Sequence, residues 1–172
     1  MNIILIGYRC TGKTSVGKLL AEKLELPFYD TDQMITDRIG KTIKAWVEEK
    51  GWTSFRQKEK AVIMEIVSKG PGVISLGGGA VMDSENREIL KPMGLIVWLT
   101  ADSETILARM KSDPNNIDNR PPLSEQDWEN ETREILAQRS PAYRESSDFS
   151  IDTEGKTVEA IAEELVPIIR KY

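Results

Sequence analysis

Residues Gly7-Tyr8-Arg9-Cys10-Thr11-Gly12-Lys13-Thr14 follow the spacing G-x-x-x-x-G-K-[ST]. The flanking sequence gives this spacing a physical setting. Ile3-Ile4-Leu5-Ile6 is a continuous apolar run, as expected of a parallel strand covered on both faces. Beyond the loop, Val16, Leu19, Leu20 and Leu24 recur at helical spacing between charged residues. The sequence therefore predicts a strand, a glycine-bearing loop and a helix in succession. Glycines let the backbone approach an anion closely. The loop amides and the helix N-terminus then face it. Lys13 would reach the β- and γ-phosphates of a nucleotide, and the Thr14 hydroxyl would hold Mg²⁺. The competing reading is a plain glycine-rich turn.

The chain has 172 residues, enough for one domain with a sizeable core. Its net charge of −5 argues against a general nucleic-acid surface. No apolar run approaches membrane-spanning length. The first residues enter a strand without signal-peptide anatomy, so a cytoplasmic protein is expected. One cysteine excludes an internal disulfide, and Cys10 reads as a small residue that fits the loop. There is no histidine. A Ser-His-Asp triad, a His-ligated zinc and a phosphohistidine are thereby excluded. Any general base must be a carboxylate, a lysine, a tyrosine or the substrate.

Further along, Pro27-Phe28-Tyr29-Asp30, Val73-Ile74-Ser75-Leu76, Leu95 to Leu99 and Phe149-Ser150-Ile151 read as strands. Between them lie helical stretches. One opens at Asp30-Thr31-Asp32 and stops at Gly40; a second is capped by Thr42 and stops at Gly51; a third runs from about Thr53 to Lys69. Ser84 to Leu90 and a segment capped by Asp102 are also helical in pattern. Ser112 to Pro122 is polar, rich in Asn, Asp and Pro, and lacks apolar periodicity. Such an insert in a compact domain is often a lid. Ser124 and Asp127 resemble a capping box for the helix that follows. Thr157 opens a last amphipathic helix, in which Pro167 predicts a kink or break. Strand-helix alternation implies an α/β fold with a parallel sheet between helices. Ligands bind such sheets beyond the strands' carboxyl ends, where the loop, Asp30, Asp32 and Gly77-Gly78-Gly79 all fall.

Asp30 and Asp32 suit one carboxylate near a metal and one on a substrate hydroxyl; alternatively both cap a helix. Arg56 and Glu59 are three apart on a helix and can pair. Spacing alone does not decide between a surface ion pair and an Arg held ready for two-pronged anion binding. Three successive glycines imply close backbone approach by a ligand, or a tight turn. Arg120 sits in the candidate lid, and Arg139 and Tyr143 lie four apart on a helix. The four tryptophans read as packing, with Trp46 near the expected cleft.

Taken together, these residues resemble the shikimate kinase family, a branch of the nucleoside-monophosphate-kinase-like P-loop proteins. The resemblance rests on Phe28-Tyr29-Asp30-Thr31-Asp32, Gly51 with Phe55-Arg56 and Glu59, Leu76-Gly77-Gly78-Gly79-Ala80, Leu107-Ala108-Arg109, Arg120-Pro121, Arg139 with Pro141 and Tyr143, and Ile151-Asp152-Thr153. It implies a three-layer α-β-α P-loop NTPase fold with a central five-stranded parallel sheet. It implies one kinase domain over residues 1–172, with substrate-binding helices at about 31–60 and a mobile lid at about 112–123. The activity implied is ATP-dependent phosphorylation of the 3-hydroxyl of shikimate, in aromatic amino acid biosynthesis, with Mg²⁺ as cofactor. Cys10, Thr11, Gly12, Lys13, Thr14 and Ser15 would take the ATP phosphates. Thr14, and Asp30 through water, would serve the metal. Asp32, Arg56, Gly78 and Arg139 would bind shikimate. Arg120 would reach ATP from the lid, Arg109 would flank the adenine and Lys156 would border it. Lys13, Asp32 and Arg120 would carry catalysis. A cytoplasmic monomer is expected, with no nucleic-acid or membrane partner. Three positions depart from the family's usual residues. Cys10 replaces a common glycine, Trp52 stands where a glutamate usually follows the glycine, and Trp46 replaces a smaller side chain. The tryptophans bear on substrate fit. The lid segment is also somewhat long.

Two other functions stay open at this level. Another kinase of the same fold would act on gluconate or a nucleoside monophosphate. A nucleotide-dependent regulatory module would hydrolyse slowly, without an acceptor.

Overall fold

A computed structural model describes residues 1–112 and 128–172. Strand β1 (Asn2–Ile6) leads into helix α1 (Lys13–Leu24), followed by β2 (Phe28–Asp30), α2 (Thr31–Ile39) and α3 (Ile43–Val67). The chain continues through β3 (Val73–Ser75), α4 (Ser84–Leu90), β4 (Gly94–Thr100) and α5 (Ser103–Ser112). Past residue 127 come α6 (Trp128–Ser146), β5 (Phe149–Asp152) and α7 (Val158–Ile169). The five strands pair in parallel in the order β2-β3-β1-β4-β5. The chain winds from β1 out to β2, returns through β3, and crosses to β4 on the other side. The carboxyl end of β1 thus lies where the winding reverses, the place at which such sheets open a crevice.

Every residue of β1 is buried, because helices cover both sheet faces. Side chains alternate between the two layers. Ile3 and Leu5 join Val16, Leu20, Ile161 and Leu165 of α1 and α7. Ile4 and Ile6 join Ile35, Ile63, Ile66 and Tyr143 of α2, α3 and α6. A strand buried twice over has no polar alternation to show, which is why Ile3 to Ile6 reads as an unbroken apolar run.

The expected caps form. Thr42 accepts from the Ala45 amide at 3.1 Å, Asp102 from Thr105 at 2.7 Å and Thr157 from Ala160 at 3.2 Å. Gly40 ends α2 in the left-handed conformation. The break expected at Gly51 is present inside α3, where φ 79 and ψ 166 interrupt the helix. The break expected at Pro167 does not separate two helices. Helix α7 runs through Pro167 and ends at Ile169, so the proline sits in the last turn and little helix remains beyond it to be displaced. The expected capping box at Ser124 and Asp127, and all of the expected lid beyond Ser112, lie outside the described residues. Among the described residues no helix is long and apolar enough to cross a membrane.

Candidate active site

The loop after β1 is held by its own side chains. Thr11 donates to the Tyr8 carbonyl at 2.8 Å, and at 1 % exposure its hydroxyl points inward. Thr11 can therefore meet a ligand only through its backbone. Cys10 takes a left-handed φ of 61, so it occupies a conformation that glycine adopts more cheaply. Gly12 precedes α1 at φ 92, with no side chain capping the helix and no acidic residue in its first turn. An uncapped, uncontested N-terminus favours an anion. The Lys13 ammonium donates to the carbonyls of Gly7 and Tyr8 at 2.9 and 2.7 Å. It is 8 % exposed. A phosphate chain entering the loop competes with those carbonyls for the charge.

Asp30 does two things that the sequence left as alternatives. Its Oδ1 accepts from the amides of Asp32 and Gln33 at 3.1 and 3.2 Å, capping α2. Its Oδ2 accepts from the Thr14 hydroxyl at 2.7 Å. The cap fixes the carboxylate so that its second oxygen faces the loop. These two hard oxygens at the cavity mouth fit Mg²⁺, which binds through one or two protein groups and keeps its other positions for water and phosphate. Among the described residues no group of three or more His, Cys, Asp or Glu side chains forms a metal cage.

Two cavities meet beside this loop. The first is lined by Cys10, Gly12, Lys13, Thr14, Ser15, Asp30 and Arg109. The second is lined by Tyr8, Ile43, Trp52, Phe55, Arg56, Glu59, Gly77, Gly78, Gly79 and Arg139. Arg9 and Asp32 line both. Seven of the residues expected at the nucleotide and metal positions thus gather in one cavity. The four expected for the acceptor gather in its neighbour. Lys156 does not line the first cavity; its ammonium pairs with Glu164 at 2.6 Å. Arg109 donates to Cys10 O at 3.1 Å and to Thr153 Oγ1 and O at 3.0 and 2.7 Å. It ties the loop to the segment after β5 as well as lining the cavity. Arg120 lies outside the described residues.

The acceptor cavity is built from charges on separate elements. Arg56 pairs with Glu59 at 2.6 Å. Glu59 is 1 % exposed, so this is not a surface ion pair. Burial pushes its carboxyl up to about 7, against the pull of Arg56 and Arg139 and with the help of the Asp32 charge. Arg139 donates to Gly78 O at 3.2 Å. Tyr143 donates to the same carbonyl, and burial raises its phenol to about 12, so it stays a donor. Three guanidinium groups, of Arg9, Arg56 and Arg139, face the carboxylates of Asp32 and Glu59 across this cavity. The Glu59 carboxylate is only partly ionised near neutrality. Cations outnumber carboxylates here, which suits an acidic acceptor.

Two of the three glycines, Gly77 and Gly79, answer to protein side chains. A Cβ on Gly77 would stand 2.7 Å from both Asp32 Oδ1 and Glu59 Oε1. On Gly78 it would make only ordinary contact, with Gly7 O 3.4 Å away, whereas on Gly79 it would overlap the Arg56 guanidinium. The close approach inferred from Gly77-Gly78-Gly79 is thus made largely by Asp32, Glu59 and Arg56. Sequence reasoning overlooked Arg9. Its signal was its place between the loop glycines, where a long cation reaches both cavities. Trp52, read from the residues as packing and from the resemblance as bearing on substrate fit, lines the acceptor cavity, whereas Trp46, expected near the cleft, does not.

A family model described as shikimate kinase matches residues 9–170. A shikimate kinase of Syntrophus aciditrophicus is 44 % identical, with 96 % of this chain and 89 % of that protein covered. One of Persephonella marina is 40 % identical, with 98 % and 99 % covered. A solved structure of the shikimate kinase from Acinetobacter baumannii in complex with shikimate superposes with a TM-score of 0.91 at 35 % identity, covering 99 % of this chain and 93 % of that one. Through its glycine loop, its parallel sheet and the paired cavities at the sheet's carboxyl edge, this chain belongs to the shikimate kinase family, ATP-dependent kinases that phosphorylate shikimate.

Proposed function

We propose the following division of labour for the reaction, transfer of the γ-phosphate of ATP to the 3-hydroxyl of shikimate. The observation that carries it is the position of Asp32, shared by the two cavities. A carboxylate there accepts a hydrogen bond from the acceptor hydroxyl and aims it along the line of transfer. Cys10, Gly12, Lys13, Thr14 and Ser15, with the Thr11 amide, hold the ATP phosphates. Lys13 stabilises charge that develops on the transferring group. Thr14 and Asp30 hold Mg²⁺, Asp30 through water. Bound there, Mg²⁺ would supply positive charge against the negative charge of the ATP phosphates. Arg56 and Arg139 grip the acceptor carboxylate against Gly78, Arg109 borders the nucleotide, and Lys156 approaches it from the edge. Arg120 completes the ATP site from a lid at about 112–123. The chain acts as one kinase domain, with residues 31–60 as its acceptor-binding portion. We also propose a cytoplasmic monomer that serves small molecules, without nucleic-acid or membrane partners, in keeping with its net charge of −5.

A coupled ADP-release assay tests this reading with shikimate, gluconate, AMP or no acceptor. ADP release should depend on shikimate. Release driven by gluconate or AMP would reassign the acceptor, and acceptor-independent release would favour a regulatory module.

A further inference from the structure

The interrupted helix α3 brings four residues of the acceptor cavity onto one face. The helix restarts after Gly51, and Trp52 and Glu59 each lie three or four residues from Phe55 and from Arg56, the spacing of neighbours on a helix surface. The Trp52 and Phe55 rings meet edge to face at 86°, with centroids 5.8 Å apart. The Arg56 guanidinium carbon stands 5.4 Å from the Trp52 centroid and 5.3 Å from that of Phe55. On its other side it holds Glu59 Oε2. Glu59 is buried, and its Oε1 has no hydrogen-bond partner among the described residues. The Arg56 side chain keeps 32 % of its surface exposed, so a single contact with Glu59 leaves it able to swing.

We propose that Trp52 is a positioning residue for the acceptor carboxylate: its indole, with Phe55 beside it, supports the Arg56 guanidinium from one side and restrains the plane it presents to the cavity. This rests on the reading above, in which Arg56 grips the carboxylate of shikimate. An arginine has five donors in a rigid fork. Two of them match a carboxylate only if the plane is set before the acid arrives. A guanidinium over an aromatic face is attracted by the ring's negative π cloud. The carboxylate of Glu59 pulls from the edge of the group, while the rings restrain its tilt. Burial raises Glu59 to about 7, so near neutrality the ionic anchor is incomplete and the rings matter more. Lys13, Thr14 and Asp30 belong to the other cavity. The effect therefore falls on acceptor binding and spares ATP.

The test compares Trp52→Leu, which fills space without a π face, with Trp52→Phe, which restores one. Shikimate is titrated calorimetrically into each full-length protein without nucleotide. Steady-state constants are then taken for both substrates, with thermal melting as the folding control. Trp52→Leu should bind shikimate roughly 5- to 30-fold more weakly, the range of a cation–π contact. Its KM for shikimate should rise in parallel, while kcat and the KM for ATP stay within about twofold. Trp52→Phe should recover affinity to within about threefold of wild type. Wild-type affinity in Trp52→Leu overturns the inference and leaves the assigned reaction standing. Equal weakening in both variants, with kcat and the ATP constant shifted too, also overturns it, as the mark of a merely structural side chain. A wild-type protein that neither binds nor phosphorylates shikimate removes the reading beneath it.

Discussion

Lys13 lines the nucleotide cavity and Asp32 lines both cavities, and under the proposed roles their substitutions should separate charge stabilisation from aim. Lys13 already hydrogen-bonds two loop carbonyls, so Lys13→Ala leaves those carbonyls to water and should not unfold the chain. It removes a charge that counts most in the transition state. Single-turnover rates at saturating ATP and shikimate should fall by at least about 10²-fold, the scale of losing one electrostatic stabiliser, with circular dichroism unchanged. Near-normal rates would sink the loop assignment. Asp32→Asn keeps the size and much of the hydrogen bonding but takes no proton. If Asp32 is a base, turnover should drop by about 10²–10⁴-fold, and the acidic limb of the pH–rate profile should vanish. If it only aims the hydroxyl, the main loss should be in shikimate affinity, because a loose transition state needs little proton removal. The first outcome is the one expected here. A variant normal in affinity, rate and pH profile would remove Asp32 from the site.

At the scale of elements, the acceptor cavity depends on a helix that stops and starts again. Gly51 adopts φ 79 and ψ 166, a region that is essentially reserved for glycine. No atom crowds the place of a missing Cβ there, so the cost of a side chain is conformational and not steric. Gly51→Ala should destabilise the fold by about 1–3 kcal/mol, measured by urea unfolding. It should also weaken shikimate binding more than ATP binding, since the register of Trp52, Phe55, Arg56 and Glu59 is set by that residue. Unchanged stability would mean that the segment tolerates a different path. The triple glycine works differently. There the backbone is kept bare so that Asp32, Glu59 and Arg56 can stand against it, and the elements α2, α3 and β3 meet through those side chains.

For the whole molecule, the buried Glu59 carboxyl makes stability depend on pH in a direction opposite to most paired acids. Its folded-state value, about 7, lies above the ordinary 4.5. The folded chain therefore holds this proton more tightly, unfolding releases it, and this contribution to stability is lost as pH rises from about 4.5 to about 7. The loss should be on the order of 1–3 kcal/mol, since a tenfold difference in proton affinity is worth about 1.4 kcal/mol. Other groups titrate in the same window, so the informative quantity is the difference between wild type and Glu59→Gln in urea midpoints from about pH 4.5 to 7.5. The gap should change in favour of the Gln variant as pH rises. Parallel curves would show that Glu59 ionises normally in the folded protein.

The layers, the loop and most of the caps were legible in the amino-acid order alone. These are local matters: an apolar run too short for a helix and too dense for a half-exposed strand, a glycine-lysine-threonine spacing, a Thr or Asp one turn before an apolar stripe. Family resemblance carried the acceptor residues further than spacing could, since Asp32, Arg56, Gly78 and Arg139 lie on separate segments. What those residues do to one another became readable only in the folded chain. Arg56 and Glu59 read equally well as a surface pair, and burial to 1 % exposure made the carboxylate a reluctant anion. Asp30 read as either a cap or a metal-side group, and its two oxygens cap α2 and face Thr14 at once. Trp52 read as packing from the residues and as bearing on substrate fit from the resemblance; its place over Arg56 was not readable, because an aromatic ring carries no periodic signal of what lies across its face. Such outcomes depend on desolvation and on distances between segments far apart in the chain, and neither is written in local sequence.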